Sequence, residues 1–123
     1  MSAQPTILIV AYNPRNLELL AQFLGEAGYQ VLQSSGLEAF EQILTTLPNL
    51  QFALIDISGF DQDIWESCKR LQTAGIPFLV ISPYSNAVIE QQSLVSGARS
   101  VLVKPLTSQK LLGLINSLLA QQP

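Results

Sequence analysis

The chain has 123 residues, 48% of them hydrophobic, enough for one domain with a real core and too few for two, and a composition that excludes disorder. Charged residues make up only 12%, about half the usual share of roughly 25%, and the net charge of −3 comes with six scattered Lys and Arg, so the footprint of a nucleic-acid binder is missing. Histidine is absent and Cys68 is alone, which excludes histidine metal sites, nucleophile–histidine triads and an internal disulfide.

So few charges leave a surface rich in Gln, Ser, Asn and Thr with some exposed apolar area, a mild sign of a protein that docks onto something. Met1–Pro5 has neither the charged start nor the apolar centre of a signal peptide, and no apolar run approaches the roughly 20 residues of a membrane span. A cytoplasmic location is expected, with no membrane or nucleic-acid partner.

Along the chain, Ile7–Val10 is a short continuous apolar run, the pattern of a parallel strand buried on both faces, and it ends in Ala11 and Tyr12. Asn13-Pro14 sets a capping residue before a proline at the first helical position. Leu17, Leu20, Ala21 and Leu24 then form one stripe, and Gly28 ends that helix. Gln30–Gln33 is the second strand. Ser35 with Glu38 reads as a capping box for a second helix carrying Ala39, Phe40, Ile43, Leu44 and Leu47.

Phe52–Ile55 is the third strand and ends in Asp56. A third helix is predicted from about Asp63 to Ala74, stopped by Gly75. Phe78–Ile81 leads to Ser82, and a weaker fourth helix spans roughly Asn86–Ser96 before Gly97. Ser100–Val103 leads to Lys104-Pro105. Thr107 then caps a fifth helix with Leu111, Leu112, Leu114, Ile115, Leu118 and Leu119, a stripe broader than one core face needs, so part of it is expected to meet a partner.

Five strand–helix alternations with short loops imply one α/β domain over residues 1–123, with its core at about 6–119 and an open, doubly wound parallel sheet covered on both faces. The crevice of such a fold lies outside the carboxyl ends of the strands, where Asp56, Ser82 and Lys104 converge. A carboxylate flanked by a lysine and a hydroxyl suits phosphoryl transfer onto the carboxylate, the lysine pairing with the phosphate and the serine donating to it.

Ile7–Val10 with its short loop, Leu54-Ile55-Asp56-Ile57, Val80-Ile81-Ser82, Gly97-Ala98 and Val103-Lys104-Pro105-Leu106 stand in order at the spacing of a known family. Over nearly its whole length the chain resembles the receiver domain of two-component response regulators. The resemblance implies a flavodoxin-like five-stranded sheet of order 2-1-3-4-5. It makes Asp56 the phosphoacceptor, Ser82 the phosphate-sensing hydroxyl and Lys104 the pairing lysine. Pro105 matches a proline whose peptide bond is usually cis, and Asp63 an acidic position in the loop after the acceptor.

The departures are specific. Where receivers carry the two acids that hold Mg²⁺ with the acceptor, this chain has Ala11 and Tyr12. Val101 stands at the switch aromatic, Phe60 at the usual proline and Ile64 at the usual glycine. Magnesium needs near-octahedral oxygen ligation, so Asp56 with a backbone carbonyl near Ser58 is expected to bind it weakly or not at all, and no other cofactor is implied. The resemblance therefore points to a pseudo-receiver, not an enzyme, that works by phosphorylation-independent protein–protein contact. Its expected partners are a histidine kinase or a downstream signalling protein, with a homodimer through the fourth and fifth helices.

The alternative is a functioning receiver that takes a phosphoryl group on Asp56 from a histidine kinase. A small-molecule binder on the same fold is disfavoured, because Ala11–Asn16 contains no glycine to form a phosphate loop. Plainer roles stand beside these: an inherited Asp56–Lys104 ion pair, a Ser82 that satisfies a local backbone group, packing for Phe60 and Trp65, and a core position for Cys68. Asp61 and Asp63 read as turn-forming acids of a solvated loop. Tyr12 either blocks the metal pocket or sits at its rim.

Overall fold

A computed structural model describes residues 6–46 and 49–120, and within them the elements alternate without exception. The strands are β1 (Thr6–Ala11), β2 (Gln30–Ser35), β3 (Phe52–Asp56), β4 (Phe78–Ser82) and β5 (Ser100–Val103). The helices are α1 (Pro14–Glu26), α2 (Leu37–Thr46), α3 (Ile64–Thr73), α4 (Ala87–Val95) and α5 (Ser108–Ala120). All strand pairs are parallel, in the order β2-β1-β3-β4-β5. This is the flavodoxin-like arrangement the sequence predicts.

Alternation along the strands sorts the apolar residues into two layers. Leu8, Val10, Ala53, Ile55, Phe78 and Val80 pack with Phe40 and Leu44 of α2 and with Ile64, Trp65, Cys68 and Leu71 of α3. Ile7, Ile9, Ala11, Leu54, Leu79 and Ile81 pack on the other face with Leu17, Ala21 and Leu24 of α1 and with Leu111 and Ile115 of α5. The central strands β3 and β4 are buried along their whole length. The half-buried Leu112, Leu114, Leu118 and Leu119 join the second layer, which accounts for much of the broad α5 stripe.

The helix ends follow local chemistry. The Asn13 side chain accepts from the N–H groups of Arg15 and Asn16, and Pro14 opens α1. The Thr107 hydroxyl accepts from the Lys110 N–H at the start of α5. The capping box expected at Ser35 and Glu38 does not form. Ser35 is the last residue of β2, Gly36 turns the chain at φ +106°, and the Gly36 carbonyl receives the Phe40 N–H. Leu47, expected on the α2 stripe, lies outside the described residues.

Candidate functional site

The sheet reverses its winding between β1 and β3, so their carboxyl ends border the functional crevice of this topology. Ala11 and Asp56 end those strands as direct register partners, and strand alternation turns both side chains to the α1/α5 face. Asp56 is only 2% exposed. Such a carboxylate needs compensation for its lost hydration. Lys104 supplies it: its Nζ lies 2.8 Å from Asp56 Oδ2, with one third of its side chain still in water. The Ser58 N–H donates to Asp56 Oδ1 at 3.1 Å, and Lys104 Nζ also reaches Ser58 Oγ at 3.5 Å.

Sheet geometry fixes the lysine. Val103 pairs with Ser82 at the end of β5, and the Lys104 N–H donates to the Ser82 carbonyl at 3.0 Å. The Lys104-Pro105 peptide bond is cis. Ser82, on the other parity of β4, sends its hydroxyl to the Tyr84 carbonyl at 2.7 Å, the local backbone role that a strand-end serine commonly takes. Asp56, Ser82 and Lys104 thus share one sheet edge, but only the first and last touch through their side chains.

The two departures are visible in space. Ala11 contributes a buried methyl group beside Asp56. Tyr12 is 60% exposed and turns to the β3–α3 loop, its ring edge-on to Phe60 at 5.7 Å. Gly59 makes that packing possible: it holds φ +86°, and a Cβ there would lie 3.2 Å from Tyr12 Cδ1. The tyrosine therefore sits at the rim. Val101 is half-buried against the α2–α4 layer and brings no ring to the β4–α4 loop. Asp63 precedes α3 without a side-chain cap bond and is exposed, as is Asp61. Among the described residues, no group of three or more His, Cys, Asp or Glu could hold a metal ion.

A cleft of about 580 Å³ opens over the ion pair, walled by Asn16, Leu19 and Leu20 of α1 and by Ile81, Pro83, Pro105 and Leu106. The sequence singles out Leu20, Ile81, Pro105 and Leu106 for other reasons, but not Asn16, Leu19 and Pro83, nor the Ser58 amide and hydroxyl at the acceptor. An aspartate at a strand end often accepts from the backbone N–H two residues on in an Asx turn, and that is the signal that could have found the Ser58 amide.

The response regulator receiver domain family matches residues 7–116 of this chain. The transcriptional regulatory protein ZraR of Klebsiella oxytoca is 33% identical over 111 residues, 88% of this chain and 25% of that protein. The sensor histidine kinase RcsC of Escherichia coli K12 is 33% identical over 104 residues, 82% of this chain and 11% of that protein. The chain therefore spans a quarter or less of the length of these relatives. Among solved structures, a CheY-like response regulator receiver domain protein from Methanospirillum hungatei has the same fold, with a TM-score of 0.82 at 24% identity, covering 97% of this chain and 96% of that one.

Proposed function

This chain belongs to the response regulator receiver domain family, and from that premise we propose that it is a pseudo-receiver, a signalling module that acts by protein–protein contact without phosphorylation. The observation that carries the reading is the closed pairing at Asp56, whose two oxygens are taken by Lys104 Nζ and the Ser58 N–H.

The family implies a Mg²⁺ ion held by a cluster of carboxylates, and the donor set here does not fit one. The side chain beside Asp56 on β1 is a methyl group, and Tyr12 is turned away onto Gly59 and Phe60. A cation would have to displace an ammonium at 2.8 Å and then complete its shell with a single carboxylate. Asp56 and Lys104 sum to zero charge, so the resting site requires no further cation.

Receiver domains interact with histidine kinases and other proteins. For this chain the proposed contact surface runs over α4, α5 and the edge of β5 between them, where Leu94 and Val103 are exposed, and the same surface would serve a homodimer. No described helix is long and apolar enough to cross a membrane. The proposal takes the chain as cytoplasmic and as a non-enzyme, with neither nucleic acid nor membrane among its partners.

The second reading, a working phosphoacceptor, draws on the shared sheet edge of Asp56, Ser82 and Lys104. Intact mass after incubation with acetyl phosphate and Mg²⁺ separates the two, with Asp56→Asn as control. An unchanged mass is expected. One added phosphoryl group, absent in the control, would overturn the proposal.

A further inference from the structure

Helix α4 packs one half-buried apolar residue, Ile89, on the core and leaves most of its apolar side chains outside. Its buried residues are Ser93 and, at the C-cap, Ser96, while Val88, Leu94 and Val95 stand outside. Val88 and Val95 are 63% and 65% exposed, and at seven residues apart they share one face. A surface helix normally buries its apolar stripe and exposes its polar one. Leaving most of the apolar residues outside is the pattern of a helix that meets something apolar on its outer side.

That face borders a groove. Two cavities of about 510 and 560 Å³ lie between α3 and α4 and share Gln62, Trp65, Val88 and Gln92, so they adjoin along one groove. Trp65 and Ile89 give it an apolar floor, and Phe60 and Tyr84 line the end nearest the loops. That end is also charged. Asp61 lines it, and Asp63, two residues on at the start of α3, lines the adjoining cavity; both are exposed and have no ion pair or side-chain hydrogen bond among the described residues. The parallel strands bring the N-termini of α3 and α4 to this end, each worth about half a positive charge. Two full carboxylates exceed that and leave the end negative. Further along, Glu66 is answered by Lys69 at 3.7 Å.

We propose that the α3–α4 groove docks a short segment of another protein that lays apolar side chains on Trp65, Val88 and Val95 and sets a Lys or Arg against Asp61 and Asp63. Complementary charge fixes the orientation of the segment, and buried apolar area supplies the affinity. The helices that form the groove have 10 and 9 residues, so it is about 15 Å long. Roughly ten residues of helix or five of extended chain span that length. The proposal rests on the reading of the chain as a docking module and names its surface and the chemistry of its partner.

The test is selection of a phage-displayed library of random peptides, about ten residues long and lacking Trp, on the whole chain. Titration of the selected peptides against Trp65 emission follows, since Trp65 is the single tryptophan. Selected sequences are expected to carry a Lys or Arg beside two or more apolar residues and to shift that emission saturably. Val88→Asp with Val95→Asp, at exposed positions that leave the fold intact by circular dichroism, is expected to weaken binding at least about tenfold. Asp61→Asn with Asp63→Asn is expected to weaken it several-fold and to flatten its salt dependence.

Failure to enrich any peptide over the Val88→Asp/Val95→Asp protein would overturn the proposal, as would enriched peptides without a cation that ignore the Asp61→Asn/Asp63→Asn change. The same titration with protein treated with acetyl phosphate and Mg²⁺ keeps the two readings apart. Groove binding that appears only after treatment would sink the phosphorylation-independent reading and leave the groove standing. No groove binding in either state would do the reverse.

Discussion

Lys104→Met should destabilise this protein far more than Asp56→Asn, although the two substitutions break the same ion pair. In Lys104→Met the Asp56 carboxylate stays 2% exposed and keeps one partner, the Ser58 N–H. Removing one member of a fully buried pair costs about 3–5 kcal/mol because the other charge is stranded. Lys104 keeps a third of its side chain in water, so the pair is partly screened and about 2–3 kcal/mol is the expected loss. In Asp56→Asn the amide oxygen still accepts from Ser58, and the lysine turns outward, at a cost of about 1 kcal/mol or less.

The double variant should resemble Asp56→Asn, which gives a coupling of about 2–3 kcal/mol in the mutant cycle. Urea unfolding reads it directly. At a slope of about 1.5–2 kcal/mol/M, Lys104→Met should lower the midpoint by roughly 1–2 M with the slope unchanged. Equal losses for the two single variants, or a coupling near zero, would refute the reasoning, because the charge of Asp56 would then be held by something other than Lys104.

Other consequences are open to simple measurement. About 10 mM MgCl₂, against NaCl of matched ionic strength, should raise the thermal midpoint by no more than about 2 °C, since ligand at or below its Kd adds at most about 0.4 kcal/mol. Ala11→Asp with Tyr12→Asp should cost about 2 kcal/mol or more without metal, by placing a new carboxylate beside buried Asp56, and should create a Mg²⁺-dependent rise of several degrees. Gly97→Ala should destabilise by about 2 kcal/mol, because φ is +105° there and the new Cβ would lie 2.6 Å from Gln72 Cδ; Gly25→Ala, in open space near the end of α1, should stabilise by about 0.5 kcal/mol. Burial pushes the Cys68 thiol up to about 12. Unfolded chain therefore loses that proton near pH 9 while folded chain keeps it, so Cys68 contributes stability below pH 9 that drains away as pH rises towards 12. At pH 8 its labelling by a thiol reagent should follow unfolding, and prompt labelling of native protein would contradict its burial.

The fold was legible because its strands announce themselves twice, as short apolar runs and through the helix ends between them. Asn13-Pro14, Thr107, Gly28, Gly75 and Gly97 stand where helices begin or end, and the three glycines hold positive φ. The capping box failed because Gly36, in the left-handed region, absorbs the turn that Ser35 was expected to make. At the site, the approach of Asp56 and Lys104 follows from strand order alone. The engagement of Ser58 and the outward turn of Tyr12 depend on the shape of the β3–α3 loop, set by Gly59 at φ +86°, and periodicity carries no information about it. Helix α4 was the weakest reading for a related reason. Five of its nine residues are apolar, but only Ile89 among them packs on the core, while Val88, Leu94 and Val95 face out and the buried position is Ser93, so periodicity could not mark an inward face.

Those two weak points bear on one another. On the proposed reading Asp56 stays unphosphorylated and paired with Lys104, so no change of charge there switches an output surface on. β5 carries valine, not an aromatic, at position 101 to relay such a change, and the Ser82 hydroxyl is held by the Tyr84 carbonyl. A docking face coupled to this site would therefore be exposed at all times, and Val88, Leu94 and Val95 on α4 are already exposed in the unmodified chain. Signalling would then be governed by the amounts of the chain and its partner and not by a modification. Partner affinity measured before and after acetyl phosphate treatment should agree within about twofold, a difference below about 0.4 kcal/mol. A larger change would restore Asp56 to the role of a switch.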